Sequence, residues 1–366
     1  MRDHSSELPE SHRVINVARF DDPVSVITDT EAWLARDKYA DMAGRGPMFA
    51  VTEQEPDGRW RILVTDEIQP QGCRDELARV CRLRAKDAED AGDAEAERDW
   101  MAGAHRMEWE KTDDLRVRDC RFRIARADMV LRIGPDGPEP PRPSDPDPLP
   151  TRGKRSAPSR TLGFLIDPTA AIGLSEGILR LDLLRSAFAP SSVPEKVRRD
   201  SLRARRDYPG GVLLPPVFAV YEHVQGHWLP TAQACDSPQG ARNQLAGRFA
   251  AMLPARIRQW HPHMRELPEE LRHSMAARDG FLEPGAESLT ERQLRALAKA
   301  AKRLERERLD DIEVLGHPYR VVRLECLMRL GPDGPEPPRP SDPDPDLPVS
   351  VQVAQDRANG LYDDEE

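Results

Sequence analysis

The side chains best suited to chemistry are arginines spaced two residues apart around a carboxylate. Arg126, Asp128 and Arg132 recur as Arg323, Glu325 and Arg329 in two strand-like segments, FRIARADMVLRI (residues 122–133) and YRVVRLECLMRL (residues 319–330). Side chains alternate across a strand, so each trio shares one face. The opposite face carries Ala125, Ala127, Met129 and Leu131, or Leu324, Cys326 and Met328, with Arg123 as an exception. Two guanidinium forks beside one another suit a planar anion, so one reading is a phosphate or carboxylate site formed by Arg126, Arg132, Arg323 and Arg329. The other is a salt-bridge ladder in which Asp128 and Glu325 neutralise their own neighbours. The retention of an acid in both segments favours the ladder.

Each segment runs into the same phrase, GPDGPEPPRPSDPDP, at residues 134–148 and again at 331–345. Gly-Pro-Asp-Gly is turn chemistry, and PEPPRP should hold polyproline II. Such a phrase, with Arg142 or Arg339 as its cation, could dock in an aromatic groove of a partner. The favoured reading is a rigid strap laid over its own module, with Trp60 or Trp228 as the floor.

Other constellations are weaker. His223 and His227 flank a hairpin turn and His261 and His263 form HPH, but Gln54 and Arg59 stand where the first pair would recur, so surface histidines are expected and no metal site. The basic runs at 152–160 and 196–208 lack interleaved aromatics, and a solvated helix face explains the second better than nucleic-acid contact. Five cysteines, Cys73, Cys81, Cys120, Cys235 and Cys326, include no C-x-x-C and read as thiols of a reducing compartment. Nucleophile elbow, phosphate loop, dinucleotide fingerprint and zincin helix are all missing, so the sequence leans away from an enzyme and names no cofactor.

The elements that must position these residues recur as well. PMFAVTEQEPDGRW at residue 47 matches PVFAVYEHVQGHW at 216, QGCRDELA at 71 matches QGARNQLA at 239, and ARDKY at 35 matches ARRDY at 204. The expected organisation is therefore a tandem duplication of one α+β module. Each module reads as a charged helix, a hairpin returning through a Trp, a helix opened by Gln-Gly, further helical sequence, and the Arg-bearing strand with its turn and polyproline-II ending. A small antiparallel sheet with helices on one face is the expected shape of each. In module one the helical stretch should break near Gly92; in module two Ser288 and Glu291 suggest a capping box before a seam of Leu294, Leu297, Ala301 and Leu304.

The boundaries follow: a polar segment at 1–20, module one at 21–148, a basic linker with a bridging helix at 149–195, module two with a longer helical insertion at 196–348, and an acidic tail at 349–366. Composition sets limits on function. Of 54 basic residues 47 are arginine, a bias expected of a GC-rich bacterial genome rather than a nucleic-acid signature. The net charge of −10 falls entirely on residues 1–150, which carry 23 basic and 33 acidic side chains, so general affinity for polyanions is not expected. No signal-like or membrane-spanning apolar run occurs, and a cytoplasmic protein is expected.

The Arg-rich strand with its proline phrase, its degenerate first copy and FLIDPTAAIGLSEGILRLDLL between the modules resemble an uncharacterised family of actinomycete (Streptomyces-type) proteins built on a domain of unknown function. The resemblance covers most of the chain and implies a lineage but no chemistry. The sequence thus points first to a non-enzymatic interaction or scaffold protein with a protein partner. A binder of, or enzyme on, a small anionic or phosphorylated ligand comes second, and nucleic-acid binding through the 196–206 helix a weaker third.

Overall fold

The computed structural model of the chain describes residues 15–148, 159–186, 193–231, 233–252 and 289–360. Residues 1–14 of the polar start, most of the basic run at 152–160, His261, His263, Ser288 and the last six residues lie outside the described residues.

The first half opens with α1 (Pro23–Lys38), capped by the Asp22 carboxylate, which accepts from the Ser25 amide ahead of a proline in the first turn. The hairpin of β1 (Asp41–Gln54) and β2 (Trp60–Glu67) turns at Asp57-Gly58, where Gly58 holds φ +87. Helices α2 (Pro70–Asp90) and α3 (Ala94–Trp109) part at Gly92, φ +75, and Asp93 caps the second. The short β3 (Asp114–Val117) leads into the long β4 (Cys120–Gly134), and β5 (Gly137–Pro138) folds back on its end.

Between the halves lie β6 (Leu165–Ile166) and α4 (Leu174–Arg185). The second half repeats the element order: α5 (Glu195–Asp207), the hairpin of β7 (Gly210–Val224) and β8 (His227–Pro230), and α6 (Pro238–Gly247), which runs into a π-helical turn at Arg248–Met252. Then come α7 (Glu291–Glu307), β9 (Asp311–Val314), β10 (His317–Gly331), β11 (Gly334–Pro335) and α8 (Val349–Ala358).

The α+β class is as expected, but two small sheets are not what forms. All the strands join one curled antiparallel sheet in the order β6-β2-β1-β4-β10-β7-β8, with β3 and β5 on β4 and β9 and β11 on β10. The joint is β4 against β10, paired from Leu324↔Leu131 to Met328↔Ala127 and centred on Cys326↔Met129. Left apart, the two long strands would each expose a row of unpaired backbone groups; each satisfies the other instead.

One face of the curl holds a core shared by both halves, with Trp60, Ala127 and Leu131 beside Val212, Tyr221, Leu324 and Met328. On the other face α2 and α3 cover Phe49, Val51, Phe122 and Ile124, while α6 and α7 cover Phe218, Val220, Tyr319 and Val321. The seam of α7 is Leu297, Ala301 and Leu304; Leu294 is exposed. Its capping box is formed by Thr290 and Gln293, two residues beyond the expected start. S-x-x-E and T-x-x-Q overlap by two residues in SLTERQ. No helix among the described residues is long and apolar enough to cross a membrane.

Candidate functional site

Because β4 and β10 run antiparallel, the end of each strand leaves over the other half. Both proline phrases therefore strap across the half opposite to their own, and they do so through matching contacts. The strap over its own module expected from the sequence is replaced by an exchange.

Arg126 sends Nε to Asp342 of the second phrase at 2.9 Å and Nη1 to its neighbour Asp128 at 2.5 Å. Arg323 sends Nε to Asp145 of the first phrase at 3.0 Å and its Nη1 to Glu325. The backbone follows suit: Arg126 N donates to the Glu336 carbonyl at 2.8 Å, and Arg323 N to the Glu139 carbonyl at 2.9 Å. Arg339 closes the first clasp by donating to Asp128 and Glu336, and Arg142 closes the second by donating to Glu325 and Glu139. Within each phrase the carboxylate that takes the strand arginine also accepts the backbone N–H of the phrase arginine, Arg339 to Asp342 and Arg142 to Asp145, at 2.7 Å in both cases.

The clasps extend outward in the same pairs. Arg123 donates to the carbonyls of Asp333 and Pro335, and Arg320 to those of Asp136 and Pro138. Arg74 of α2 holds Asp344 at 2.8 Å and Arg242 of α6 holds Asp147 at 2.6 Å. Trp60 lies under Gly334 and Trp228 under Gly137: a Cβ on either glycine would sit 2.6 or 2.5 Å from the indole Nε1. Both glycines also hold positive φ, +113 and +104, so they fit where other residues would strain. Arg121 and Arg123 stack over Trp60 at 5.4 Å, and Arg320 over Trp228 at 5.2 Å.

Electrostatics separate the inner from the outer arginines. Burial opposes the charge of Arg126 and Arg323, yet the carboxylates around them hold both above the ordinary arginine range. Burial would raise Asp128, but Arg126 and then Arg339 pull it down to about 2, and Glu325 is lowered against its burial by Arg323 and Arg142. Arg132 and Arg329 are the reverse, pushed down by burial. Arg132 donates to the Tyr39 carbonyl at 3.1 Å with Glu139 at 3.9 Å, and it lines a cavity of about 350 Å³ against α1 and α4. Arg329 donates to the Leu183 and Leu184 carbonyls at the end of α4, each at 3.2 Å, with Asp128 at 3.7 Å.

The structure thus places Arg126, Arg339 and Trp60 around one strap and Arg323, Arg142 and Trp228 around the other, with Arg132 and Arg329 at the far ends of the central strands. Sequence reasoning passed over Arg74 and Arg242, although both stand at matching places in QGCRDELA and QGARNQLA. His223 packs against Trp228 with the rings tilted at 42° and their centroids 5.0 Å apart. The arginines of α5 pair locally, Arg198 with Glu195 and Arg206 with Asp207. Cys73, Cys81 and Cys326 are buried, and Cys120 and Cys235 half-buried. Among the described residues no three His, Cys, Asp or Glu side chains gather as a metal site.

No curated protein and no solved structure matches the chain. A family model does, over residues 22–345, and on that match the chain belongs to DUF5954, a family of unknown function.

Proposed function

We propose that the chain is a non-enzymatic interaction protein: a duplicated module, arranged about a pseudo-twofold at Met129 and Cys326, that acts as a rigid platform for a protein partner in the cytoplasm of an actinomycete. The observation that carries this reading is the exchange of straps. Arg126 and Arg323 are consumed by Asp342 and Asp145, so the charges that looked fit for a ligand serve to lock two halves into one body. A buried ion pair is weak support for stability in itself but fixes one arrangement among alternatives, which is what a platform needs. In this reading the units at 21–148 and 196–348 are halves of one body, each closed by the polyproline-II phrase of the other, and Arg142 and Arg339 are clasp residues rather than peptide-recognition groups.

The test is the size of the native complex. In clarified lysate of the native host, the 41.2 kDa chain should run in size exclusion as part of a larger assembly that cross-linking shows to contain a different protein. Elution as a monomer, or as an assembly of this chain alone, overturns the reading.

A second reading is favoured by one observation: Arg132, on the wall of its cavity, donates to the Tyr39 carbonyl and keeps its nearest carboxylate, Glu139, at 3.9 Å. An anion entering there would complete that guanidinium. Thermal stabilisation by inorganic phosphate or citrate that disappears in Arg132→Gln would support it, and the same shift in both proteins would end it.

A further inference from the structure

A different cavity, of about 490 Å³, lies between α1, α4, β6 and the first part of β7. Phe20, Phe164, Ile172, Val212 and Leu214 supply apolar walls, and Arg323 and Glu325 reach it from the second clasp. Its size is that of small-molecule sites, and nine ionisable side chains stand among its apolar walls. The unusual member is Arg180 of α4. It is 2% exposed, and its two terminal nitrogens share the Pro168 carbonyl at 3.4 Å each, while Nε has no partner.

Buried arginines are ordinarily paired with carboxylates, as Arg126 and Arg323 are in this molecule. The charge of Arg180 meets instead a single backbone oxygen at long range. The acidic group acting on it is Glu176, one helical turn earlier, an exposed side chain that forms no ion pair with it; its carboxyl is held above the usual range by desolvation and then by Glu325. The remaining acids on the wall are engaged: Glu325 and Asp145 by Arg323, Asp29 by the Ser175 amide, and Asp167 by Thr169 and Arg59. The cavity therefore sets, against its apolar walls, a buried guanidinium that no carboxylate reaches at ion-pair distance.

We infer that this cavity binds a small organic acid, with its apolar body against Phe20, Phe164 and Leu214 and its anionic head on Arg180. A carboxylate, sulfonate or phosphate monoester all present the oxygens that a guanidinium fork takes two at a time. Arg180 lies on the unduplicated α4, so the proposal does not rest on the platform reading.

The probe is 1-anilinonaphthalene-8-sulfonate, titrated by fluorescence into the full chain, beside its neutral relative N-phenyl-1-naphthylamine. The sulfonate should bind saturably with one site and about tenfold or more tighter than the neutral compound, a margin set by a desolvated charge-assisted contact. Arg180→Gln should erase that margin while leaving the neutral probe's affinity unchanged. Thr28→Trp, at an exposed position of α1 on the cavity wall, should block both probes with Arg180 intact. 4-Phenylbutyrate should displace the sulfonate and inorganic phosphate should not, because phosphate lacks the apolar body. If Arg180→Gln loses its near-ultraviolet circular dichroism, the wild-type ratio of the two probes and the Thr28→Trp result decide. Equal affinity for both probes, an unchanged margin in a folded Arg180→Gln, or undiminished binding in Thr28→Trp overturns the proposal.

Discussion

The two clasps match residue for residue, and the regions that flank them do not. Arg126 with Asp128, Arg339 and Asp342 is answered by Arg323 with Glu325, Arg142 and Asp145. Beyond the straps the chain takes different courses. After the first it supplies β6 to the sheet edge and packs α4 on α1 and β7; after the second it lays α8 against α3. The consequence reaches the clasps themselves. Arg329 turns to the carbonyls at the end of α4, where the helix dipole favours a cation, whereas Arg132 turns to the Tyr39 carbonyl beyond the end of α1. The matched part is thus mechanical, and the unmatched part is where a cavity with an unpaired cation has room to form.

The largest expected effect comes from breaking a clasp at its centre. Arg126→Met or Arg323→Met keeps the stem and takes from Asp128 and Asp342, or from Glu325 and Asp145, their strand arginine, a change that costs about 3–5 kcal/mol in comparable buried pairs. Urea denaturation should show both variants losing stability in that range and within about 1 kcal/mol of each other, the spread of ordinary context effects. If one variant loses far less than the other, the two clasps are alike in geometry only. The strap glycines come next. Gly137→Ala and Gly334→Ala each add a Cβ against an indole and force a positive φ on alanine, for which about 2 kcal/mol is the expected loss. A matched fall in thermal midpoint would sharpen the comparison, and an unchanged midpoint in either variant would break it.

The repeat was legible because fifteen residues return unaltered and the strands feeding them keep arginine at the same places. The class of each half was legible too, since Gly58, Gly92 and Gly226 sit where hairpins and helix breaks demand positive φ. Which half each strap serves was not legible. Identical straps meet equivalent arginines and tryptophans in both halves, so the sequence fits a strap on its own half and an exchanged strap equally well. Only the β4–β10 pairing decides, and strand pairing across some two hundred residues leaves no local mark. Arg180 was missed for the opposite reason. It stands in the unrepeated EGILRLD, four residues after Glu176, a spacing that suggests an ordinary i,i+4 ion pair.

The mildest of the clasp tests is acid. An ordinary aspartate titrates near 3.9, while Asp128 is held at about 2 in the folded chain by Arg126 and Arg339, which outweigh its burial. The stabilisation it contributes is complete above pH 4 and is lost as the pH falls toward 2, amounting to about 1–2 kcal/mol for a side chain that keeps some exposure. Asp128→Asn should therefore flatten the stability profile between pH 4 and 2 while lowering it at neutral pH, and Glu325→Gln should do the same, since Glu325 is lowered by the equivalent arginines. By contrast, Arg198→Ala and Arg206→Ala on α5 touch only exposed local partners and should leave the urea midpoint and the acid profile where they were. A shift there as large as that of Asp128→Asn would mean that charge spread over the whole molecule, and not the clasps, sets its response to pH.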